Sequence, residues 1–148
     1  MSLIYGQPER EYELFMPFAE TRLKCGQIGG FKLHVTVDTD QADRLARVIL
    51  PELRLLRVHH KVVLAGGFYR QMNNGDQRGK FITVYAGPAA SAQRVVDALD
   101  PALLRLRSQG VRPGPAPRTR QSSHTETEIR IGESGMVHTY CSDNYRSS

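Results

Sequence analysis

The 148-residue chain has few cysteines, no tryptophan and no long apolar run. Cys25 and Cys141 lie far apart and lack Cys-x-x-Cys spacing, which argues against a zinc knuckle and against a disulfide framework. No stretch approaches the roughly 20 consecutive apolar residues of a membrane span, and Glu9, Glu11 and Glu13 stand where a signal peptide needs its apolar segment. We therefore expect a cytoplasmic protein with no membrane partner, while delivery of the protein into another cell stays open.

Several sequence motifs that are typical of common enzyme classes are also missing. The sequence contains no Walker loop, no Gly-x-Gly-x-x-Gly, no Gly-x-Ser-x-Gly and no Asp-rich magnesium motif, which leaves nucleotide, dinucleotide, serine-hydrolase and kinase chemistry without support. The histidines do not show the spacing of a zinc site: His34, His59, His60, His124 and His138. We therefore predict that the protein uses no metal and no cofactor.

What the sequence does contain is an ordinary globular composition with a basic excess. The chain is 40% apolar and 24% charged, enough to bury the core of one domain of this length. A net charge of +5 favours anionic partners. Between residues 101 and 125 no acidic residue accompanies the arginines, which are Arg105, Arg107, Arg112, Arg118 and Arg120. This segment is a candidate anion-facing region.

Local patterns divide the chain into an N-terminal arm and one α+β domain. We interpret residues 1–29 as the arm, with a short helical face over 12–18, and residues 30–148 as the domain. Alternation predicts strands over 31–37, 58–64, 80–86, 127–131 and 135–141. Helical spacing predicts helices after the first and third strands, the first bent or interrupted near Pro51 and the second with a break or a fresh first turn at Pro101, and a turn at Gly66-Gly67. The expected fold is a single α+β domain whose mostly antiparallel sheet carries helices on one face.

Strand alternation places candidate reactive residues on shared faces. Lys32 and His34 are two residues apart, so they project to one side about 6–7 Å from each other. The next strand carries His59 and Lys61 in the same relation, and the third carries Lys80 and Tyr85. A solvent-facing explanation is also available, because half-exposed strands commonly carry polar residues on their outer face.

A site made of lysine, histidine and arginine suits one metal-free reaction. Arginine and lysine bind a phosphate dianion, and a lysine desolvated among other cations has its pKa lowered until it can act as a base. A nearby histidine can protonate a leaving group. These are the requirements for β-elimination of phosphate from a phosphorylated side chain.

A family resemblance points to the same reaction. Residues 30–35 (Gly-Phe-Lys-Leu-His-Val), the strand around Lys61 and residues 79–85 (Gly-Lys-Phe-Ile-Thr-Val-Tyr) resemble, in order and spacing, the phosphothreonine lyases of bacterial type III effectors. They look closer still to the lyase domain at the N-terminus of class III and IV lanthipeptide synthetases. Residues 132–140 resemble that domain's closing strand, so the similarity spans roughly residues 30–141.

The resemblance implies a role for each matching residue. Lys61 falls at the family's general base, His34 at its general acid, Lys32 at its phosphate-contacting lysine and Tyr85 at a tyrosine near the reacting centre. The closing Tyr-Arg of the family reads Tyr140-Cys141 here. Candidates for the remaining phosphate and substrate contacts are Arg70, Arg78, Lys80, Arg118 and Arg120.

Three functions remain open at this point. The first is a phosphoserine/phosphothreonine lyase that acts on a peptide or protein phosphorylated by a separate kinase and leaves a dehydroamino acid. The second is a non-catalytic module that binds phosphopeptides or acidic partners, favoured by Cys141 in the place of arginine. The third is nucleic-acid binding by residues 105–120, which we do not expect because no motif accompanies this basic segment.

Overall fold

The computed structural model of the protein describes residues 12–15, 30–63, 66–75, 77–118 and 127–142. Its strands are β1 (Tyr12–Phe15), β2 (Gly30–Val35), β3 (His59–Val63), β4 (Ile82–Gly87), β5 (Ile129–Arg130) and β6 (Val137–Ser142). Its helices are α1 (Ala42–Leu56), α2 (Gly66–Met72) and α3 (Ala89–Ser108), with a 3₁₀ turn at Thr39–Gln41 before α1. The strands form one antiparallel sheet in the order β1-β3-β4-β2-β6-β5, which confirms the α+β prediction.

The core lies between the sheet and helices α1 and α3. Alternate residues of β2, β3 and β4 face these helices because side chains change sides at each strand residue. Each fully buried aliphatic side chain contributes about 1.5–3 kcal/mol to folding. The residues fully buried in this layer include Leu33, Val35, Val62, Val84, Leu45, Ile49, Leu99 and Leu103.

Both long helices continue through the prolines at which we expected breaks. Pro51 lies inside α1 and Pro101 lies inside α3. A proline within a helix costs about 3 kcal/mol. Apolar residues before and after each proline pack into the same core, as Ile49 and Leu53 do in α1, and this burial outweighs the local cost. An interruption at Pro51 and a break or new helix start at Pro101 are therefore wrong.

The predicted turn at Gly66-Gly67 is wrong as well, because both glycines belong to helix α2. Tyr69 anchors this short helix to the end of β2. Its hydroxyl donates to the Val37 carbonyl at 2.5 Å and accepts from the Val37 N–H at 3.1 Å, and its ring packs on Phe81 at 4.9 Å. The helix thus depends on tertiary contacts that the local sequence does not reveal.

The short helical face expected over residues 12–18 is wrong for the four residues that the structure describes. Residues 12–15 form the edge strand β1, which pairs with β3 from Tyr12↔Val63 to Phe15↔His60. The edge of β3 satisfies the backbone of this segment, so the sheet decides its conformation. Part of the predicted arm therefore belongs to the sheet, and the rest of residues 1–29 lies outside the described residues.

In the described ranges, no helix combines the length and the apolar character needed to cross a membrane.

Candidate functional site

The face of the sheet opposite the two long helices carries polar side chains from four strands. Residues that pair directly across an antiparallel sheet share a face. Lys32 pairs with Tyr85 and Tyr140, His34 pairs with Thr83 and His138, and Lys61 pairs with Thr83. The register therefore brings the two Lys/His pairs together on one face: Lys32, His34, His59 and Lys61.

Three of these residues, Lys32, His34 and Lys61, line a pocket that is partly open to solvent, with about 300 Å³ of empty space when the open mouth is included. The pocket is lined by Lys32, His34, Lys61, Gln77, Lys80, Thr83 and Tyr140. Lys32, His34 and Lys80 are only 2%, 3% and 5% exposed, so a solvent-facing role for the first pair is wrong. The described lining residues include three lysines and no aspartate or glutamate. Such a pocket suits an anion.

Lys80 reaches the pocket from the end of a turn. We expected it to begin the third strand, but β4 begins only at Ile82. Gly79, immediately before it, has a φ of 75°, and its N–H donates to Asn73 Oδ1 at 2.8 Å. A Cβ added at Gly79 would lie 2.2 Å from the Pro115 carbonyl oxygen. Glycine is therefore required to bring this turn against the backbone of the 113–117 loop.

His34 has a partner that the sequence did not reveal. Its Nδ1 lies 2.8 and 2.9 Å from the two carboxylate oxygens of Glu128, whose side chain is fully buried. A carboxylate only accepts, so Nδ1 carries the hydrogen and Nε2 is left for the pocket. No local signal could have identified this contact, because Glu128 stands 94 residues away in a short strand-like segment.

The pKa of His34 lies below its usual 6.5 as the net result of opposing effects. Burial lowers the pKa most, whereas the hydrogen bond and charge of Glu128 raise it. The charges of Lys80 and Lys32 lower it further. The neutral imidazole is therefore the favoured form of the unliganded site at neutral pH.

Two tyrosine rings lie next to the site, one beside His34 and one beside Lys32. Tyr140 lines the pocket and stacks on His34 with ring centroids 6.0 Å apart and an interplanar angle of 28°. The ring centroid of Tyr85 lies 5.3 Å from Lys32 Nζ, a cation–π distance. Tyr85 is not among the described residues that line the pocket, so it contacts the site through Lys32.

Comparison with known proteins places the chain in a family. Residues 11–112, more than half of the chain, match the family model described as RamC, N-terminal domain. The chain belongs to the RamC N-terminal domain family. The matched range contains the pocket residues Lys32, His34, Lys61 and Lys80, whereas Glu128 lies beyond its end. A search of the curated proteins finds no match to the chain.

The arginines expected to bind phosphate do not join the described pocket of this RamC N-terminal domain. Arg70 forms an ion pair with Asp40 at 2.9 Å, and both side chains are largely exposed. Arg78 and Arg118 are partly buried and do not belong to the described lining. Arg120 lies outside the described residues. Within the described structure, lysines supply the cations of the pocket.

His60 lies on the other side of the sheet, among the core residues of the domain. Its Nδ1–H donates to the Val58 carbonyl at 2.8 Å, and burial lowers its pKa to about 4. His60 is therefore a neutral structural residue at physiological pH. Within the described ranges, no group of three or more His, Cys, Asp or Glu residues is arranged to hold a metal ion.

Proposed function

We propose that this RamC N-terminal domain is a phosphoserine/phosphothreonine lyase that eliminates phosphate from a phosphorylated peptide or protein. The observation that supports this most directly is the convergence of Lys32, Lys61, Lys80 and His34 in one pocket. Lys32 and Lys80 are buried there, where their charges act in a low-dielectric environment, and His34 is buried beside them. A phosphorylated residue supplies the anionic group that such a pocket lacks.

Lys61 is the proposed base. Its neutral amine takes the proton from Cα of the phosphorylated residue, and the freed electron pair forms the Cα=Cβ double bond. The Cβ–O bond breaks and the phosphate departs with that bonding pair. Lys61 is partly buried and shares its pocket with Lys32 and Lys80.

His34 is the proposed acid, acting through Nε2 on the oxygen that departs from Cβ. Its lowered pKa in the unliganded site means that the imidazole must gain a proton before it can act. A phosphate dianion in the pocket favours the imidazolium, because an opposite charge nearby raises the pKa of histidine. Protonation of His34 would thus accompany substrate binding.

The phosphate itself would be bound by Lys32 and Lys80. An ammonium group is a compact point charge and lacks the two-pronged geometry of arginine. The two lysines therefore stabilise the departing phosphate by charge, without the paired hydrogen bonds that an arginine would give. This arrangement differs from the arginine contacts that the resemblance implies for the family.

A separate kinase would supply the substrate, and the cytoplasm, expected from the sequence, is a compartment where such a kinase works. The resemblance to the lyase domain of class III and IV lanthipeptide synthetases supports a role in lanthipeptide biosynthesis, and the RamC N-terminal domain match is compatible with such a role. The proposed lyase would form dehydroamino acids there.

A binding module without chemistry is the second candidate. The neutral His34 and the presence of Cys141, where the resembled family has arginine, favour it. Nucleic-acid binding has less support, because two of the arginines in the basic segment make intramolecular contacts. Arg107 donates to the Ser134 carbonyl, and Arg112 forms an ion pair with Asp38 at 2.7 Å.

Mass spectrometry of phosphothreonine and phosphoserine peptides after incubation with the protein tests the proposal. A lyase removes the elements of phosphoric acid and leaves a product that adds a thiol, whereas a regained hydroxyl indicates a phosphatase. Lys61→Arg keeps the positive charge but loses the base. It should still bind the phosphopeptide while elimination slows by at least ~10²-fold.

The matched control is Arg47→Lys, a charge-conserving change on the exposed surface of α1 that should leave both properties unchanged. Tight phosphopeptide binding by the wild type with no thiol-reactive product would refute the lyase and support the binding module.

A further inference from the structure

We propose that Glu128 positions the His34 imidazole, holding the hydrogen on Nδ1 so that Nε2 is the nitrogen that delivers a proton to the departing phosphate. This inference rests on the proposed lyase activity, and it adds a residue that the chemistry of the pocket lining does not include. Glu128 does not line the pocket within the described structure, so it acts through His34.

Glu128 and Tyr140 restrain the His34 ring from two sides. Both carboxylate oxygens of Glu128 lie within 2.8–2.9 Å of the same ring nitrogen, a shared hydrogen bond that leaves the ring little freedom to flip. Tyr140 stacks against the ring and limits its tilt. A general acid needs this kind of restraint, because proton transfer depends on the distance and direction of the donor.

Backbone hydrogen bonds hold the segment that carries Glu128. The Glu128 N–H donates to the Pro117 carbonyl at 2.8 Å, and the residue before it, Thr127, forms a β-bridge with Arg118. The same loop is tied to the strand that carries His34, because Thr36 Oγ1 donates to the Pro115 carbonyl at 2.8 Å. The carboxylate and the imidazole therefore sit on backbone segments that are joined to each other.

Glu128 also supplies negative charge beside His34. Within the described ranges, the charged and titratable groups around His34 come from β2, β3, the turn before β4, β6 and the segment before β5; they are Lys32, Lys61, Lys80, His138, Tyr140 and Glu128. Among these, Glu128 alone carries negative charge. Its hydrogen bond and charge raise the pKa of His34 against burial and against the lysines. Removing that charge would leave the imidazolium among like charges.

Histidine NMR on the intact protein measures this role without relying on activity. The ring ¹⁵N and ¹³C shifts of wild-type His34 should show the Nδ1–H tautomer when the ring is neutral. Glu128→Gln should lower the titration midpoint of His34 by at least about one pH unit, a tenfold loss of proton affinity. Glu128→Asp should recover part of the shift. The matched control, Glu133→Gln, changes an exposed glutamate nearby and should alter neither property.

Kinetics supply the second readout. Glu128→Gln should reduce kcat at least ~10-fold with little change in KM, because the phosphate contacts stay in place. A neutral Nε2–H tautomer in wild-type protein, or a His34 midpoint unchanged in Glu128→Gln, would overturn the proposal. The wild-type tautomer decides the matter even if the Gln variant fails to fold.

The two proposals fail in different ways. A wild-type protein that never forms a dehydroamino acid removes the lyase, while the NMR result still decides whether Glu128 orients His34. An active wild type whose Glu128→Gln variant keeps the same midpoint and kcat removes the role of Glu128 alone.

Discussion

Acid should destabilise this domain through His60 well before its carboxylates are protonated. His60 is fully buried on the helix side of the sheet, and its pKa is lowered to about 4. In the unfolded chain a histidine titrates near about 6.5. Between about pH 6.5 and pH 4, His60 is protonated in the unfolded chain but stays neutral in the folded protein. The free energy of unfolding therefore falls as the pH falls through this window.

The magnitude follows from the same two values. At about 1.4 kcal/mol per pH unit, the full loss attributable to His60 approaches about 3 kcal/mol, and about 2 kcal/mol of it falls between pH 7 and pH 5. That is a large share of the roughly 5–15 kcal/mol that keeps a typical domain folded. The pKa of Asp38 is lowered from its usual 3.8, so this carboxyl affects the free energy of unfolding mainly below that pH, outside the His60 window.

Urea unfolding of wild type and His60→Gln at pH 7, 6 and 5 provides the assay. Glutamine does not titrate, and its amide can still donate to the Val58 carbonyl. His34 and His138 also have lowered pKa values, but they are present in both proteins and cancel in the difference. Wild type should lose about 2 kcal/mol more than the variant between pH 7 and pH 5. Parallel stability curves for the two proteins would refute the reasoning.

Three further predictions concern the pocket. Gly79→Ala should lower the free energy of unfolding by more than about 2 kcal/mol. The new Cβ would overlap the Pro115 carbonyl oxygen, and alanine would also be strained by the positive φ. Gly110→Ala, at a φ of 95° with open space around it, should show the smaller conformational cost alone in the same denaturation assay. Phosphopeptide affinity, measured by titration calorimetry, should fall as salt rises, because the pocket binds through charge; a flat salt dependence contradicts this. Elimination should proceed unchanged in EDTA without added nucleotide; loss of turnover that zinc or manganese restores would contradict the proposed chemistry.

The described secondary structure was predictable where the pattern is local. Strand alternation identified β2, β3 and β4 and assigned Lys32 with His34, and His59 with Lys61, to common faces, because successive side chains of a strand alternate by geometry. Helical spacing located α1 and α3. It failed at Pro51 and Pro101, since packing on the sheet outweighs the local cost of proline.

The candidate site depended on contacts that no local pattern contains. Strand order and register decided that the two Lys/His pairs share one sheet face and that Lys61 lines the same pocket as Lys32 and His34, and the turn at Gly79 decided that Lys80 joins them. The expected arginine contacts were not found in the described pocket, because Arg70 pairs with Asp40 on the surface instead.

The sequence by itself determined which residue types could meet on each strand face, and therefore the basic, metal-free chemistry that we propose. The tertiary structure decided which of them do meet. Glu128 is the clearest case, since its side chain reaches His34 across 94 residues of chain. A buried carboxylate and a buried imidazole are stable together only when folding brings them into hydrogen-bonding contact, and that closure depends on the whole sheet rather than on any segment.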